Sequence, residues 1–128
     1  MFGDIFIAQF PFTSGAVSKP RPALVLFDLQ ADVLICRITS ATRTGLLDIS
    51  LRDWQQAGLV LPSVARLDRL VTAERTTLRR HLGRLSDADQ AAVRAAWNQH
   101  MRCSAPRVRR GPHATRAGPS AGWRHASP

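Results

Sequence analysis

A short segment in the first quarter of the chain has the residue types that bind a phosphate group. In Lys19-Pro20-Arg21-Pro22, two prolines flank an arginine where a loop enters an apolar stretch. Proline fixes its own φ and keeps the preceding residue extended, so the backbone at Arg21 is set before any ligand arrives. A guanidinium held in this way offers two parallel donors to a phosphate. The alternative is an arginine that forms a structural ion pair at the start of a strand.

Two hydroxyl side chains, Thr39 and Ser40, follow the apolar stretch 31–38, one predicted hairpin away from Arg21. Hydroxyls at the end of a strand either donate to an anion or stabilise a turn. The spacing alone favours the turn.

The sequence contains no pattern typical of other catalytic centres. It has no His/Cys/Asp/Glu cluster at metal-ligand spacing, no glycine-rich phosphate loop and no serine nucleophile elbow, so we predict neither a metal nor a cofactor. The four histidines lie outside the first three predicted strands, at positions 81, 100, 113 and 125. A histidine acid–base pair is therefore not visible. Cys36 and Cys103 are interpreted as reduced thiols of a cytoplasmic protein.

The apolar pattern predicts a mainly β fold with one closing helix. Glycine at position 58 ends a predicted helical turn or two over residues 52–58. Residues 76–84 predict a short helical turn and then a short strand. An imperfect alternation predicts a bulge in the last of the five other strands, which cover residues 3–10, 22–28, 31–38, 46–51 and 62–72.

The closing helix has the clearest signature. Ser86 is the predicted N-cap, and Asp87 and Asp89 place negative charge in the first turn. Four residues are predicted to form one apolar stripe on the sheet, namely Ala92, Val93, Ala96 and Trp97. Together, the predicted strands and helix indicate a small, strongly bent sheet or open barrel.

Charge divides the 128-residue chain into two parts. Its net charge of +9 indicates a polyanionic partner. Residues 1–100 hold 12 Lys and Arg residues and all nine acids, and we predict one domain there. Residues 101–128 hold six arginines and no acid among many Pro, Gly, Ser and Ala residues. This segment is interpreted as a disordered basic tail, either a nucleic-acid tether or a solvated extension. No signal peptide or membrane span is predicted.

Five sequence pieces, in order and at matching spacings, resemble the MazF/PemK family of toxins from type II toxin–antitoxin pairs. The resemblance covers roughly residues 2–100. The pieces are Gly3-Asp4-Ile5, Phe10-Pro11-Phe12, Lys19-Pro20-Arg21-Pro22-Ala23-Leu24-Val25-Leu26, Ile38-Thr39-Ser40 and Pro62-Ser63-Val64-Ala65-Arg66-Leu67-Asp68.

The resemblance implies an SH3-like barrel of about five to seven strands with a C-terminal helix, and a homodimer. It also implies metal-independent cleavage of single-stranded RNA, such as mRNA, and inhibition by a peptide segment of a cognate antitoxin. The reaction would be attack by a ribose 2′-OH on the adjacent phosphate, which leaves 2′,3′-cyclic phosphate and 5′-OH ends.

Carried over to this sequence, Arg21 matches the family's catalytic arginine and Thr39 its catalytic threonine. We also predict an RNA-binding set of Phe12, Ser18, Lys19 and Ser40, with Phe12 as one candidate for stacking on a base. The segment 11–19 matches a loop over the active site that carries an acid in some members. Residues 13–19 contain no Asp or Glu, so we assign no carboxylate there. Trp54 is a second candidate for stacking on a base, with core packing as the alternative.

Three other interpretations stay open on the sequence. The same fold can poison a protein target such as DNA gyrase, although Arg21 and Thr39 argue against this. The chain can also be a basic nucleic-acid-binding module without catalysis. In a third interpretation the tail is read-through past a lost stop codon, with the domain intact.

Overall fold

One antiparallel sheet followed by one helix makes up the part of the chain described by the computed structural model, residues 1–11, 18–42 and 44–103. A 3₁₀ turn, Arg75–Thr77, precedes the last strand, and the helix is α1 (Asp87–His100). The mainly β fold with a C-terminal helix is thus confirmed. The strands are β1 (Asp4–Pro11), β2 (Ser18–Leu29), β3 (Asp32–Thr39), β4 (Asp48–Ser50), β5 (Val64–Glu74) and β6 (Leu78–Arg84).

The strands follow the order β4-β5-β3-β2-β1-β6, with β4 and β6 at the two edges. The described strands therefore form an open sheet and do not close into a barrel. The predicted bulge in β5 is confirmed. Cys36 pairs with Leu70 whereas the next residue, Arg37, pairs with Arg66, so extra β5 residues bend the sheet at this point.

Strand β2 begins four residues earlier than the sequence predicts, so Arg21 lies within it and not at its entry. β2 pairs with β1 from Ser18 onward but with β3 only from Ala23 onward. Pro20 and Pro22 therefore lie in a stretch with one partner strand. Proline lacks an amide donor and is tolerated where a strand has an unpaired side.

Apolar residues are buried on both faces of the sheet, which explains the near-continuous apolar run in β2. The larger cluster includes Leu24, Leu26, Ile38, Leu67 and Val93 of the helix. The smaller cluster on the other face consists of Ala8, Ala23, Val25, Val33 and Ile35.

Helix α1 packs on the larger cluster as its sequence predicts. The Ser86 side-chain oxygen accepts a hydrogen bond from the Asp89 N–H at 3.2 Å, which confirms the N-cap. Val93 is buried, and Ala96 and Trp97 pack against the cluster. The predicted stripe is wrong at Ala92, which is exposed because it lies at the margin of the buried face.

The helical turn predicted over residues 52–58 and ended by Gly58 is confirmed, since this segment forms consecutive hydrogen-bonded turns in which the Ala57 N–H donates to the Asp53 carbonyl oxygen at 3.2 Å. The buried carboxylate of Asp89 accepts the N–H groups of Arg52 and Asp53, each at 2.9 Å, and so ties the segment to α1. Gly58 has a φ of 89°, as expected of a glycine that ends a turn. A Cβ at Gly58 would overlap the Leu82 carbonyl oxygen of β6. Within the described part of the chain, no helix has the length and apolar character needed to cross a membrane.

Candidate functional site

A groove of about 400 Å³ lies beside the start of β2 and the end of β3. Its polar lining includes Arg21, Arg37, Thr39 and Ser40 of these strands and the turn that follows. Its apolar lining includes the loop 59–61, which precedes β5. Val60 and Leu61 in this loop are 86% and 53% exposed. The groove therefore combines arginine and hydroxyl donors with an exposed aliphatic rim.

The antiparallel register of β2 and β3 brings Arg21 and Thr39 to the same place. Ala23 pairs with Arg37, and Arg21 and Thr39 each lie two residues farther toward the groove. Residues two apart on a strand share a face, so the same register places the Arg21 and Thr39 side chains on one face, across from each other. Both side chains are half-buried and line the groove.

Thr39 makes the turn contact that its position predicts. Its Oγ1 accepts the N–H of Ala41 at 3.2 Å. This contact uses a lone pair of the hydroxyl oxygen, so the O–H remains able to donate to an anion in the groove. The turn and the anion-binding interpretations of Thr39 are therefore compatible.

The other predicted RNA-binding residues are distributed around this groove and beyond it. Ser40 is exposed and lines the groove. Lys19 is exposed in β2, two residues before Arg21 and on the same face of the strand. Ser18 is the first residue of β2, where it pairs with Pro11. Phe12 and most of the predicted loop over the site lie outside the described residues.

Trp54 lies where both core packing and contact with a ligand are open to it. It is partly buried against the larger apolar cluster. It also lines a second groove of about 250 Å³, which shares Ser40, Ala41 and Ser63 with the first. The two grooves therefore form one continuous surface that extends from Arg21 toward the indole of Trp54.

A buried arginine, Arg66, lies on β5 next to the strand that carries Arg37 and Thr39. Arg66 pairs with Asp48 across β4 and β5, and its guanidinium lies 3.6 Å from the Asp48 carboxylate and 3.5 Å from that of Asp68. The same residue stands directly opposite Arg37 on β3. Burial raises the pKa of the neighbouring Cys36 thiol to about 12, which keeps it protonated at neutral pH.

Sequence reasoning missed Arg37 and the apolar loop 59–61 as parts of the site. Arg37 lies near the end of the predicted strand 31–38, two residues before Thr39, and a strand that continues to Thr39 would have placed both side chains on one face. The loop carries no comparable signal, because its position beside β2 and β3 depends on the long-range pairing of β5. In residues 1–11, 18–42 and 44–103, no three His, Cys, Asp or Glu side chains are grouped as metal ligands.

Comparison with known proteins identifies a matching family model and a related protein. The model of the PemK-like, MazF-like toxin family of type II toxin–antitoxin systems matches residues 1–101. A probable endoribonuclease MazF from Mycolicibacterium smegmatis is 33% identical over 93 residues, which are 68% of this chain and 83% of that protein.

Solved structures have the same fold. The Mycobacterium tuberculosis toxin MazF-mt6 superposes with a TM-score of 0.62 at 26% identity, over 75% of this chain and 93% of that one. A mycobacterial endoribonuclease in complex with its cognate antitoxin has a TM-score of 0.65 at 17% identity, over 83% of this chain and 98% of that one.

Proposed function

Since the chain belongs to the PemK-like, MazF-like toxin family of type II toxin–antitoxin systems, we propose that it is an endoribonuclease that cleaves single-stranded RNA. The observation that carries this proposal is the convergence of Arg21 and Thr39 in one groove. A guanidinium and a hydroxyl at the ends of neighbouring strands can both donate hydrogen bonds to the oxygens of a phosphodiester. The related M. smegmatis protein, named a probable endoribonuclease, supports the same activity.

The proposed reaction is an intramolecular transesterification. The 2′-oxygen of a ribose forms a bond to the adjacent phosphorus, and the bond from phosphorus to the next nucleotide's 5′-oxygen breaks. The leaving oxygen keeps the electron pair and gains a proton, while the 2′-OH loses one. The products are a 2′,3′-cyclic phosphate and a 5′-OH, and no water, metal or cofactor is consumed.

Arg21 and Thr39 are the proposed catalytic residues. Negative charge on the non-bridging oxygens grows during attack, and donors already aimed at those oxygens stabilise the transition state more than the ground state. Arg21 donates two hydrogen bonds and also places a proton near the leaving oxygen. Thr39 donates one further hydrogen bond, with Ser40 beside it.

The described residues that line the groove include no His, Asp or Glu to act as an ordinary general base. A guanidinium is a strong hydrogen-bond donor with no acceptor capacity, so Arg21 does not take up the proton of the 2′-OH. A positioned acid or base typically contributes about 10²- to 10⁴-fold to a rate. We therefore expect modest turnover, which suits an enzyme that inactivates messages over minutes.

Features of the groove favour a single-stranded substrate. Bases can be splayed and contacted only where they are unpaired, and the exposed rim of Val60 and Leu61 offers them an apolar surface. The proposed RNA-contacting residues are Phe12, Ser18, Lys19 and Ser40. Lys19 is exposed and lies on the same face of β2 as Arg21, two residues before it.

The proposed protein partner is a cognate antitoxin, as expected of a type II toxin. An acidic, partly apolar segment that folds on binding would match a groove lined by arginines and aliphatic side chains. A protein of the same fold has been solved with its cognate antitoxin. We further propose a homodimer in the cytoplasm. A light-scattering mass of one chain would contradict the dimer.

The test is cleavage of a long unstructured RNA by the purified protein in EDTA, followed by mapping of the new ends. Wild type should cut at discrete sites, and Arg21→Ala should abolish cutting without loss of fold. Arg79→Ala removes an equal charge from exposed β6 and is the matched control, which should cut normally. A folded wild-type protein that cuts no RNA would refute the proposal and favour a protein-poisoning or purely RNA-binding role.

A further inference from the structure

The proposed reaction needs one arginine at the phosphate, yet the groove contains two. Arg37 is half-buried on β3 and lines the groove together with Arg21 and Thr39. It stands directly opposite Ala23, two residues from Arg21 along β2. Side chains in such a diagonal relation have Cα atoms about 7–8 Å apart. This separation is comparable to that between successive phosphates of an extended RNA strand.

The order of the side chains along the groove follows from the register. Continued two residues beyond the Ala23–Arg37 pair, the register sets Arg21 across from Thr39 at the outer position, and Arg37 lies one step farther into the sheet on the same face. If the scissile phosphate lies between Arg21 and Thr39, the neighbouring phosphate of the same strand reaches Arg37. We infer that Arg37 binds this neighbouring phosphate and so fixes the position of the RNA chain; this inference rests on the proposed function.

The sheet is built to hold a guanidinium at this position. Arg37 faces another arginine, Arg66, directly across β3 and β5. Like charges opposite each other destabilise a sheet. Here Arg66 is only 6% exposed and is held by two carboxylates, those of Asp48 at 3.6 Å and Asp68 at 3.5 Å. This pairing balances the charge of Arg66, so the cross-strand arginine pair is tolerated and Arg37 is kept at the groove wall.

A phosphate-binding role makes a quantitative prediction about salt. Each phosphate contact to a single strand contributes about −0.7 to the slope of log affinity against log salt concentration. The probe is a fluorescein-labelled oligoribonucleotide that spans the mapped cut and carries 2′-fluoro sugars, which cannot attack. Arg37→Ala should reduce the magnitude of its slope by about 0.7. Arg79→Ala, on exposed β6, removes the same charge from a side chain that lines neither groove and should leave the slope unchanged.

Kinetics on cleavable RNA distinguish this binding role from a role in chemistry. A contact to a phosphate that does not react is equal in the ground and transition states, so its loss raises KM and leaves kcat unchanged. We expect KM to rise on the order of tenfold in Arg37→Ala. Arg37→Gln, which keeps much of the side-chain volume, should show the same KM and serves if the alanine variant unfolds.

The contacted phosphate can be located by neutralising one phosphate at a time as a methylphosphonate. One of these analogues should bind wild type more weakly than the unmodified strand does, yet bind Arg37→Gln no more weakly. The phosphate neutralised in that analogue is the one that Arg37 binds. We expect it next to the scissile phosphate. An unchanged salt slope and KM in both folded Arg37 variants of a cleaving enzyme would overturn this inference alone. Failure of wild type to cut any RNA would overturn the proposed function as well.

Discussion

Arg21 and Thr39 extend from neighbouring antiparallel strands into one groove, each two residues beyond the paired Ala23 and Arg37. Eighteen positions separate them in sequence, and the hairpin of β2 and β3 brings them together. The relation depends on the strand register, because a slip of one residue would turn either side chain to the opposite face. The hairpin register is therefore a structural requirement for the proposed catalysis.

The Thr39 hydroxyl should contribute to the chemical step and not to substrate binding. Removal of one preorganised donor from a charged transition state typically lowers kcat by about 10²–10³. Thr39→Val, which keeps the side-chain shape, should therefore lower the single-turnover rate on a fluorogenic RNA by about this factor. Thr39→Ser keeps the hydroxyl and should retain most of the rate. Equal activity of the two variants would rule out a catalytic role for the hydroxyl.

Asp89 should be a major determinant of stability. Its carboxylate is 2% exposed and accepts two backbone N–H groups, those of Arg52 and Asp53. Asp89→Asn leaves one buried donor facing an amide NH₂, so we expect the free energy of unfolding to fall by about 1–3 kcal/mol. Urea denaturation followed by circular dichroism measures this change.

The control for this prediction is Asp87→Asn, which alters the exposed acid in the same first turn of α1. Its effect should be limited to the loss of helix-dipole stabilisation, about 0.3–1 kcal/mol. Similar losses in the two variants would show that the contacts of Asp89 with the 52–53 backbone add nothing to dipole stabilisation.

Local elements of this structure were predictable from the sequence, whereas contacts between distant segments were not. The N-cap at Ser86, the glycine end of a turn at Gly58 and the approach of Thr39 to Arg21 all depend on short-range rules. The tie between Asp89 and Arg52 spans 37 positions, and no periodicity indicates it. An acid is expected in the first turn of a helix, so the sequence explains Asp89 without its contacts to the backbone of residues 52 and 53.

The same distinction applies to the site. A resemblance supplied the roles of Arg21 and Thr39, since the residue types alone also fit an ion pair and a turn. The loop 59–61 enters the groove because β5 pairs with β3, a long-range feature that hydrophobic alternation does not specify. The helical turn over residues 52–58 and its end at Gly58 follow from the local pattern, whereas the contacts of its N–H groups with Asp89 and of its backbone with β6 do not.

The two cysteines should differ in reactivity. Burial raises the pKa of Cys36 to about 12, whereas Cys103 is exposed. Ellman's reagent at pH 8 should therefore modify one thiol per folded chain and two in guanidinium chloride. The unfolded chain releases the Cys36 proton first, so the free energy of unfolding should fall as pH rises from about 9 towards 12. Rapid modification of two thiols in the folded protein would contradict this burial.

Residues 104–128 should be dispensable for cleavage, because the proposed site lies entirely within residues 1–100. A chain that ends at Cys103 should retain the wild-type kcat/KM on a short RNA that spans one cut site. The full chain, measured alongside at the same salt concentration, is the reference. A loss of tenfold or more in kcat/KM would assign the basic segment a direct part in substrate binding.

The most direct test of the proposed mechanism uses an oligonucleotide with a single ribose at the mapped cut site and deoxyribose elsewhere. The 2′-OH of that ribose is the proposed nucleophile, and mass spectrometry identifies the new ends. We predict cleavage in EDTA to a 2′,3′-cyclic phosphate and a 5′-OH, lost in Arg21→Ala and absent from the all-deoxyribose oligonucleotide. Cleavage of the all-deoxyribose strand, or products with 5′-phosphate ends, would contradict attack by the 2′-OH.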